Sequence, residues 1–365
     1  MEPKQLQGSK RKRADGDAPK TVLLGTDFGG LETPHTALLN TNFAVRHLFS
    51  SENNPSARRM GDWLFKDIET RYVDMTTRDN KTAPRVDLYV AGVPCQAWAS
   101  GGKLQGLNDA RGSLWANVLD YTRHAHPKAA VMECAPNLMT MGRFKPVLAK
   151  IRQVLHAQGY RTYCALLKTH EHGLPQARSR TYVVAVLRSA ERTKFRFPEP
   201  LPGRVDLECI VRGPKVAPKA MLPSPAAEAR QRTLVVNELK KLVAKGHAPQ
   251  GRIIVELGTS DKFSYHRADG IFPTITAQRA TRQDWWIADL GRKITIEELM
   301  MLQGLNPNSI QFEQAGVSVQ RIGHMVGNAM SLNVLERLLP CVLASVGMHP
   351  TKPAPDRWAL LAGQT

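Results

Sequence analysis

Cysteine is scarce in this chain of 365 residues: there are five, at positions 95, 134, 164, 209 and 341. They are too scattered for a disulfide framework, and no Cys-x-x-Cys pair is present to hold a structural zinc ion. Long apolar runs are missing as well. None reaches the roughly eighteen residues that a membrane-crossing helix needs, so no membrane span is expected. The N-terminus lacks the apolar core of a signal peptide, and secretion is not expected either. Acidic residues are in deficit, 32 against 50 lysines and arginines, which leaves +18 with histidine neutral. An excess of that size fits a polyanionic partner, nucleic acid first, although many basic proteins owe their charge to solvated surface alone. What the chain does carry is 42% hydrophobic residues, too many for wholesale disorder and enough for a sizeable core. The expectation is an intracellular, reduced, globular monomer that meets nucleic acid.

Residues 1–20 read as a polar tail containing Lys10-Arg11-Lys12-Arg13. Such a cluster serves as a nuclear localisation signal or a phosphate-binding arm, or is simply solvated. In a eukaryote it would direct the protein to the nucleus; otherwise cytoplasm or nucleoid is expected. From Thr21 onward, strand and helix patterns alternate. Strands are expected at Thr21–Leu24, Phe43–Phe49, Val86–Ala91, Ala129–Met132, Tyr163–Leu167 and Tyr182–Leu187. Helices are expected at His35–Asn40, 56–69, Leu114–Tyr121 and Phe144–Gln158. Alternation of this kind is the signature of a doubly wound α/β sheet. Seven prolines between 198 and 225 cannot sustain ladders or helix interiors, so an irregular linker follows. A basic amphipathic helix at 227–245 and short β pieces at Arg252–Leu257, Thr274–Thr276 and Trp285–Ile287 come next. Helical texture returns at 295–303 and 331–346. The domain organisation expected is a tail at 1–20, a catalytic and cofactor-binding domain at 21–197, a linker and smaller domain at 198–290, and a C-terminal part at 291–365 that rejoins the first.

Four places carry residue types that chemistry needs. The turn Gly25-Thr26-Asp27-Phe28-Gly29-Gly30 lets backbone approach a ligand, and the helix start after it offers N–H groups. Glu52 lies 22 residues beyond Gly30, at the end of the second strand, where a carboxylate can accept both hydroxyl protons of a ribose. Asp74 could accept from an exocyclic amine, or lie on the surface. Val86–Ala91 runs directly into Gly92-Val93-Pro94-Cys95-Gln96, so the thiol stands beyond the carboxyl end of a strand, where open α/β sheets place their sites. A lone cysteine is more often a small buried hydrophobe. The following stretch, with Gly101, Gly102, Gly106 and Gly112 around Lys103 and Arg111, fits a loop closing over an anionic substrate. Glu133 ends the hydrophobic strand Ala129–Met132, where desolvation favours the protonated form. Arg178 and Arg180 are two apart on an extended segment and share a side, suited to carbonyl or phosphate oxygens. His170-Glu171-His172 has the look of a metal pair but lacks further ligands, and no metal site is expected.

Taken in order, this set resembles the DNA (cytosine-5) methyltransferase family: a Gly-Gly turn, an acidic residue, Pro-Cys-Gln, a strand-end Glu, Gln-x-Arg-x-Arg, then Leu302-Gln303-Gly304 and Gly327-Asn328-Ala329. The resemblance covers roughly 21–195 and 264–340. It implies a Rossmann-like S-adenosylmethionine methyltransferase fold, a mostly parallel seven-stranded sheet whose last strand is antiparallel, with an inserted target-recognition domain. It implies S-adenosylmethionine as cofactor, double-stranded DNA as partner, and RNA as the substrate of one branch of the family. By resemblance, Cys95 is the nucleophile at C6 of the flipped cytosine, Glu133 holds or protonates N3, and Arg180 with Arg178 holds the base carbonyl and a phosphate. Phe28, Gly29, Gly30 and Pro94 line the cofactor, Glu52 takes its ribose and Asp74 its adenine. Asn328 belongs to the cofactor side and braces the join between domains. Gln96, Arg111, Gln176, Arg267, Arg279 and Gln303 contact DNA, with Arg282 and Gln283 of types that also read base edges. The pattern departs from the family at Asp27, which replaces a glycine, and at Cys134, which replaces an asparagine. Asp27 would repel the cofactor's carboxylate or bind its amino group, and a catalytically silent DNA-binding protein is the alternative these departures support.

Overall fold

The computed structural model describes residues 20–94, 114–224, 229–244, 246, 249, 251–258 and 264–363. The cluster Lys10–Arg13, Cys95, Gln96 and Arg111 therefore lie outside the described residues. Among the described residues, strands β1 (Val22–Asp27), β2 (Val45–Ser51), β3 (Thr70–Tyr72), β4 (Leu88–Gly92), β5 (Ala129–Cys134), β6 (Tyr160–Lys168) and β7 (Ser179–Leu187) form one sheet in the order β3-β2-β1-β4-β5-β7-β6. The first five pair in parallel. β7, the last of these seven in chain order, slots between β5 and β6 and runs antiparallel to both.

The apolar pattern of β4 explains its central place. Leu88 and Val90 enter one buried cluster, Tyr89 and Ala91 enter another, and the strand is covered on both faces. β5 and β7 divide in the same way: Ala129, Val131, Val184 and Val186 on one face, Ala130, Met132, Val183 and Ala185 on the other. Each fully buried valine or leucine contributes about 1.5–3 kcal/mol. The strand order reverses between β1 and β4, and it is outside the carboxyl ends at such a reversal that open α/β sheets bind ligands.

A second, smaller sheet holds β8 (Ile254–Glu256), β9 (His266–Arg267), β10 (Trp285–Ile287) and β11 (Arg292–Lys293) in the order β11-β10-β8-β9, all antiparallel. Two expectations change here. Residues 274–276 form no strand: Thr274 Oγ1 donates to the Ala177 carbonyl and the Ile275 N–H reaches Gln176 Oε1 at 3.4 Å, so the segment is tied by side chains to the residues just before β7. The helix expected at 56–69 stops at Leu64 because Phe65 turns extended and the chain enters β3. The proline-rich stretch is irregular apart from short turns at Leu207–Ile210 and Pro218–Met221, yet Leu207, Ile210 and Val211 are buried in the main core.

Candidate active site

A cavity of about 380 Å³ opens beyond the carboxyl ends of β1, β2, β4 and β5, within the range of small-molecule pockets. Phe28, Gly29, Gly30, Glu52, Asp74, Pro94, Glu133, Arg178, Arg180 and Asn328 all line it. Residues up to 300 positions apart in sequence thus meet at one place, and ten of the seventeen expected site residues are among them.

The turn after β1 is shaped by its own side chains. Phe28 and Glu32 sit at φ 59° and 52°, left-handed conformations that cost non-glycine residues free energy. A Cβ on Gly29 would lie 2.1 Å from Glu32 Oε1 and 2.8 Å from Ser50 Oγ, so only glycine fits over that carboxyl. Beneath the turn lies a wholly buried polar chain. Glu32 accepts from Ser50 Oγ and, at 2.9 Å, from Thr26 Oγ1; Thr26 Oγ1 meets His47 Nε2 at 3.1 Å; His47 Nδ1 meets His35 Nδ1 at 3.3 Å. Burial raises the Glu32 pKa and lowers those of His35 and His47 to about 4.

Asp27 neither faces the cavity nor repels a ligand. It is fully buried behind the turn, gripped by Arg78 Nη1 at 2.7 Å and Nη2 at 2.9 Å and by the Tyr89 hydroxyl at 2.5 Å. Arg78 in turn lies against the rings of Phe49, Tyr72 and Tyr121, 4.7, 5.4 and 4.9 Å from their centroids. Cys134 is buried in the apolar cluster on one face of the sheet.

Glu52 is fixed by backbone. Its Oε2 accepts from the Gly30 N–H at 3.0 Å and its Oε1 from the Asn54 N–H at 2.8 Å. Burial raises its pKa, opposed by those two hydrogen bonds. Each oxygen retains a lone pair for a hydroxyl donor. Asp74 accepts from the Thr76 N–H and hydroxyl, both at 2.8 Å and both on Oδ1. The set fits the polar half of S-adenosylmethionine: acceptors for a vicinal diol and for an exocyclic amine, with the apolar Phe28, Val73 and Met75 beside them.

On the other wall, Gly92 and Glu133 are register partners on β4 and β5, and the Val93 N–H donates to the Glu133 carbonyl at 3.0 Å. Pro94 therefore leaves the sheet beside the Glu133 carboxyl. Glu133 Oε1 lies 3.1 Å from Arg180 Nε and 3.8 Å from Arg178 Nη2. The carboxyl is thus compensated by two guanidinium groups, where the sequence suggested apolar surroundings. The contact to Arg180 is close in distance but not aligned as a hydrogen bond. Arg178 is almost fully buried, and its Nη1 donates to the carbonyls of Ile275 at 3.0 Å and Gly327 at 3.1 Å. It positions Glu133 against two distant segments, and its burial keeps it from a phosphate on the surface.

Several expected contacts belong elsewhere. Gln176 and Gln303 do not reach DNA: both are wholly buried. Gln176 Nε2 donates to Leu302 O at 2.7 Å and Gln303 Oε1 at 2.8 Å, while Gln303 Nε2 donates to Val326 O at 2.9 Å and Ala329 O at 3.0 Å. The two amides form a clasp that holds the start of β7 to the C-terminal helices. The join assigned to Asn328 is made by its neighbour: a Cβ on Gly327 would lie 2.4 Å from Ala277 N, while Asn328 is exposed to the cavity. Arg279 is paired with the buried Glu256, and Arg267 forks onto Asp269 at 3.1 and 2.6 Å. Neither lines the cavity. Arg282 reaches Asp284 at 2.8 Å, and the Gln283 amide donates to Ile294 O. His324, one helical turn before Asn328 on the helix Val319–Asn328, also lines the cavity and was missed; its i, i+4 spacing to Asn328 was the available signal.

The model of the C-5 cytosine-specific DNA methylase family matches residues 28–342. The type II methyltransferase M.NgoBI of Neisseria gonorrhoeae is 28% identical over 322 residues, covering 87% of this chain and 90% of its own. The type II methyltransferase M.HaeII of Haemophilus aegyptius is 24% identical over 341 residues, 91% and 95% of the two chains. A solved structure of a putative DNA modification methyltransferase encoded within an E. coli prophage superposes with a TM-score of 0.61 at 16% identity, over 88% of this chain and 99% of that one, a likeness of fold.

Proposed function

Because the chain belongs to the C-5 cytosine-specific DNA methylase family, we propose that the cavity is where it methylates C5 of a cytosine flipped out of duplex DNA, with Cys95 as nucleophile. The observation that supports this most is the meeting of Glu133, Pro94 and the Glu52–Asp74 wall around one cavity. Ring carbon C5 of cytosine is a poor nucleophile. Addition of the Cys95 thiolate to C6 makes C5 enamine-like, and a proton held at N3 by Glu133 removes the charge that would oppose the addition. Arg180 faces the base beside Glu133, and Arg178 keeps both in place. S-adenosylmethionine, when bound, would supply an electrophilic methyl group, and Glu52, Asp74 and Phe28 would hold it in the cavity. Loss of the C5 proton then expels Cys95 and restores the ring. A stacked base cannot be reached, so the base must leave the helix.

We also infer that residues 198–290 read the target and that the basic tail adds phosphate contacts without choosing the sequence. The test incubates purified protein and labelled donor with duplex DNA and with transfer RNA, then maps the DNA product by bisulfite sequencing. Label in DNA at a defined short sequence is expected. Label only in RNA overturns the substrate, and absence of both label and covalent trapping on 5-fluorocytosine DNA overturns the chemistry.

A further inference from the structure

The cofactor carries an α-carboxylate at the end opposite its adenine, and the cavity walls are poor in places to put it. Glycine turns usually offer their N–H groups to such an anion. Here the Gly29 N–H donates to the Ser51 carbonyl at 3.2 Å and the Gly30 N–H to Glu52 Oε2 at 3.0 Å. Pro34, in the first turn of the helix Thr33–Asn40, has no N–H to give. Three carboxylates line the cavity, Glu52, Asp74 and Glu133, and each repels another. Arg178 and Arg180 are drawn to Glu133.

Among the described residues of the lining, one basic side chain remains. His324 makes no ion pair among the described residues. Its Nδ1 lies 3.4 Å from Asn328 Nδ2. An imidazole carries at least one ring N–H, so the side chain can donate to an anion in either tautomer. His324 is thereby set as a donor at the cavity wall.

We propose that His324, in contact with Asn328, binds the α-carboxylate of the cofactor, the N–H groups of Gly29 and Gly30 being already engaged. The proposal rests on the cavity being the cofactor site. A hydrogen bond to a charged group is worth roughly ten- to a hundredfold in affinity.

Calorimetric titration with S-adenosylhomocysteine, and with its analogue lacking the carboxyl but keeping the ammonium, tests it. His324→Ala and His324→Asn, which is too short to reach, should each weaken S-adenosylhomocysteine about tenfold or more and leave the analogue within about twofold. His324→Gln, which keeps a donor, should retain most of the affinity. Equal loss for both compounds in the asparagine variant, or no loss for either, overturns the proposal. Equal binding of the two compounds by the wild type also overturns it. Wild-type protein that binds neither compound overturns the cofactor reading itself, and the proposal with it.

Discussion

The two walls of the cavity each present a carboxylate, and they hold it by different means. Glu52 is gripped by two backbone N–H groups within its own neighbourhood, Gly30 and Asn54. Glu133 is faced by two arginine side chains from β7, one of which is anchored on carbonyls at 275 and 327. A backbone grip survives changes in surrounding side chains. A guanidinium grip ties the reacting end of the cavity to the integrity of remote segments. The wall we assign to the cofactor is thus locally built, and the one we assign to the base, the base wall, draws on segments from the whole chain.

Removing the chemistry itself should have the largest effect. Cys95→Ala should abolish methyl incorporation while DNA affinity stays near wild type; turnover at the wild-type rate would refute the assigned nucleophile. Glu133→Gln should slow the reaction by about 10²–10⁴, read as the single-turnover rate. Breaking the remote grip comes next. Arg178→Met leaves Glu133 with one partner and two buried carbonyls unserved, which should cost about 3–5 kcal/mol in stability by denaturant titration and lower kcat as well. A variant with wild-type stability would show that the base wall does not depend on 275 and 327. Glu52→Gln, by contrast, should weaken cofactor binding about tenfold with little change in rate at saturating cofactor. A fall in kcat there would erase the distinction between the walls.

The smallest effect concerns the polar chain under the turn. His35 and His47 have folded pKa values of about 4, below the free value near 6.5. The unfolded chain therefore takes up protons first, and stability present above pH 6.5 is lost as pH falls toward 4. The raised pKa values of Glu32 and Glu52 work in the opposite sense. The histidine share is isolated by His47→Gln, which should flatten the decline of Tm between pH 6.5 and 4.

The central strands were legible because burial on both faces leaves an unbroken apolar run, as in β4 and β5. Glu133 was legible for the same reason, as a charge that closes an apolar run, whereas Glu52 was found by its spacing of 22 residues from Gly30. Gln176 and Gln303 were misread because their partners lie at sequence separations of 126 and 23 residues, respectively, and nothing local announces burial. Asp27 looked like a threat to the cofactor because Arg78, 51 residues on, could not be paired with it from sequence. Asn328 and Gly327 differ by one position, and only the approach of Ala277 tells which makes the join.

The Asp27–Arg78 pair constrains how this protein can change. Restoring glycine at 27 by itself would strand a cation among three aromatic rings, with Ser51 and Asn80 as its remaining polar neighbours. The turn that carries Arg78 also carries Asp74, so a guanidinium seeking water would peel the Asp74 side of the cavity away from the sheet. Any change to glycine at 27 must therefore alter both positions in lockstep, and hydrogen exchange at 74–80 would report a half-made change first.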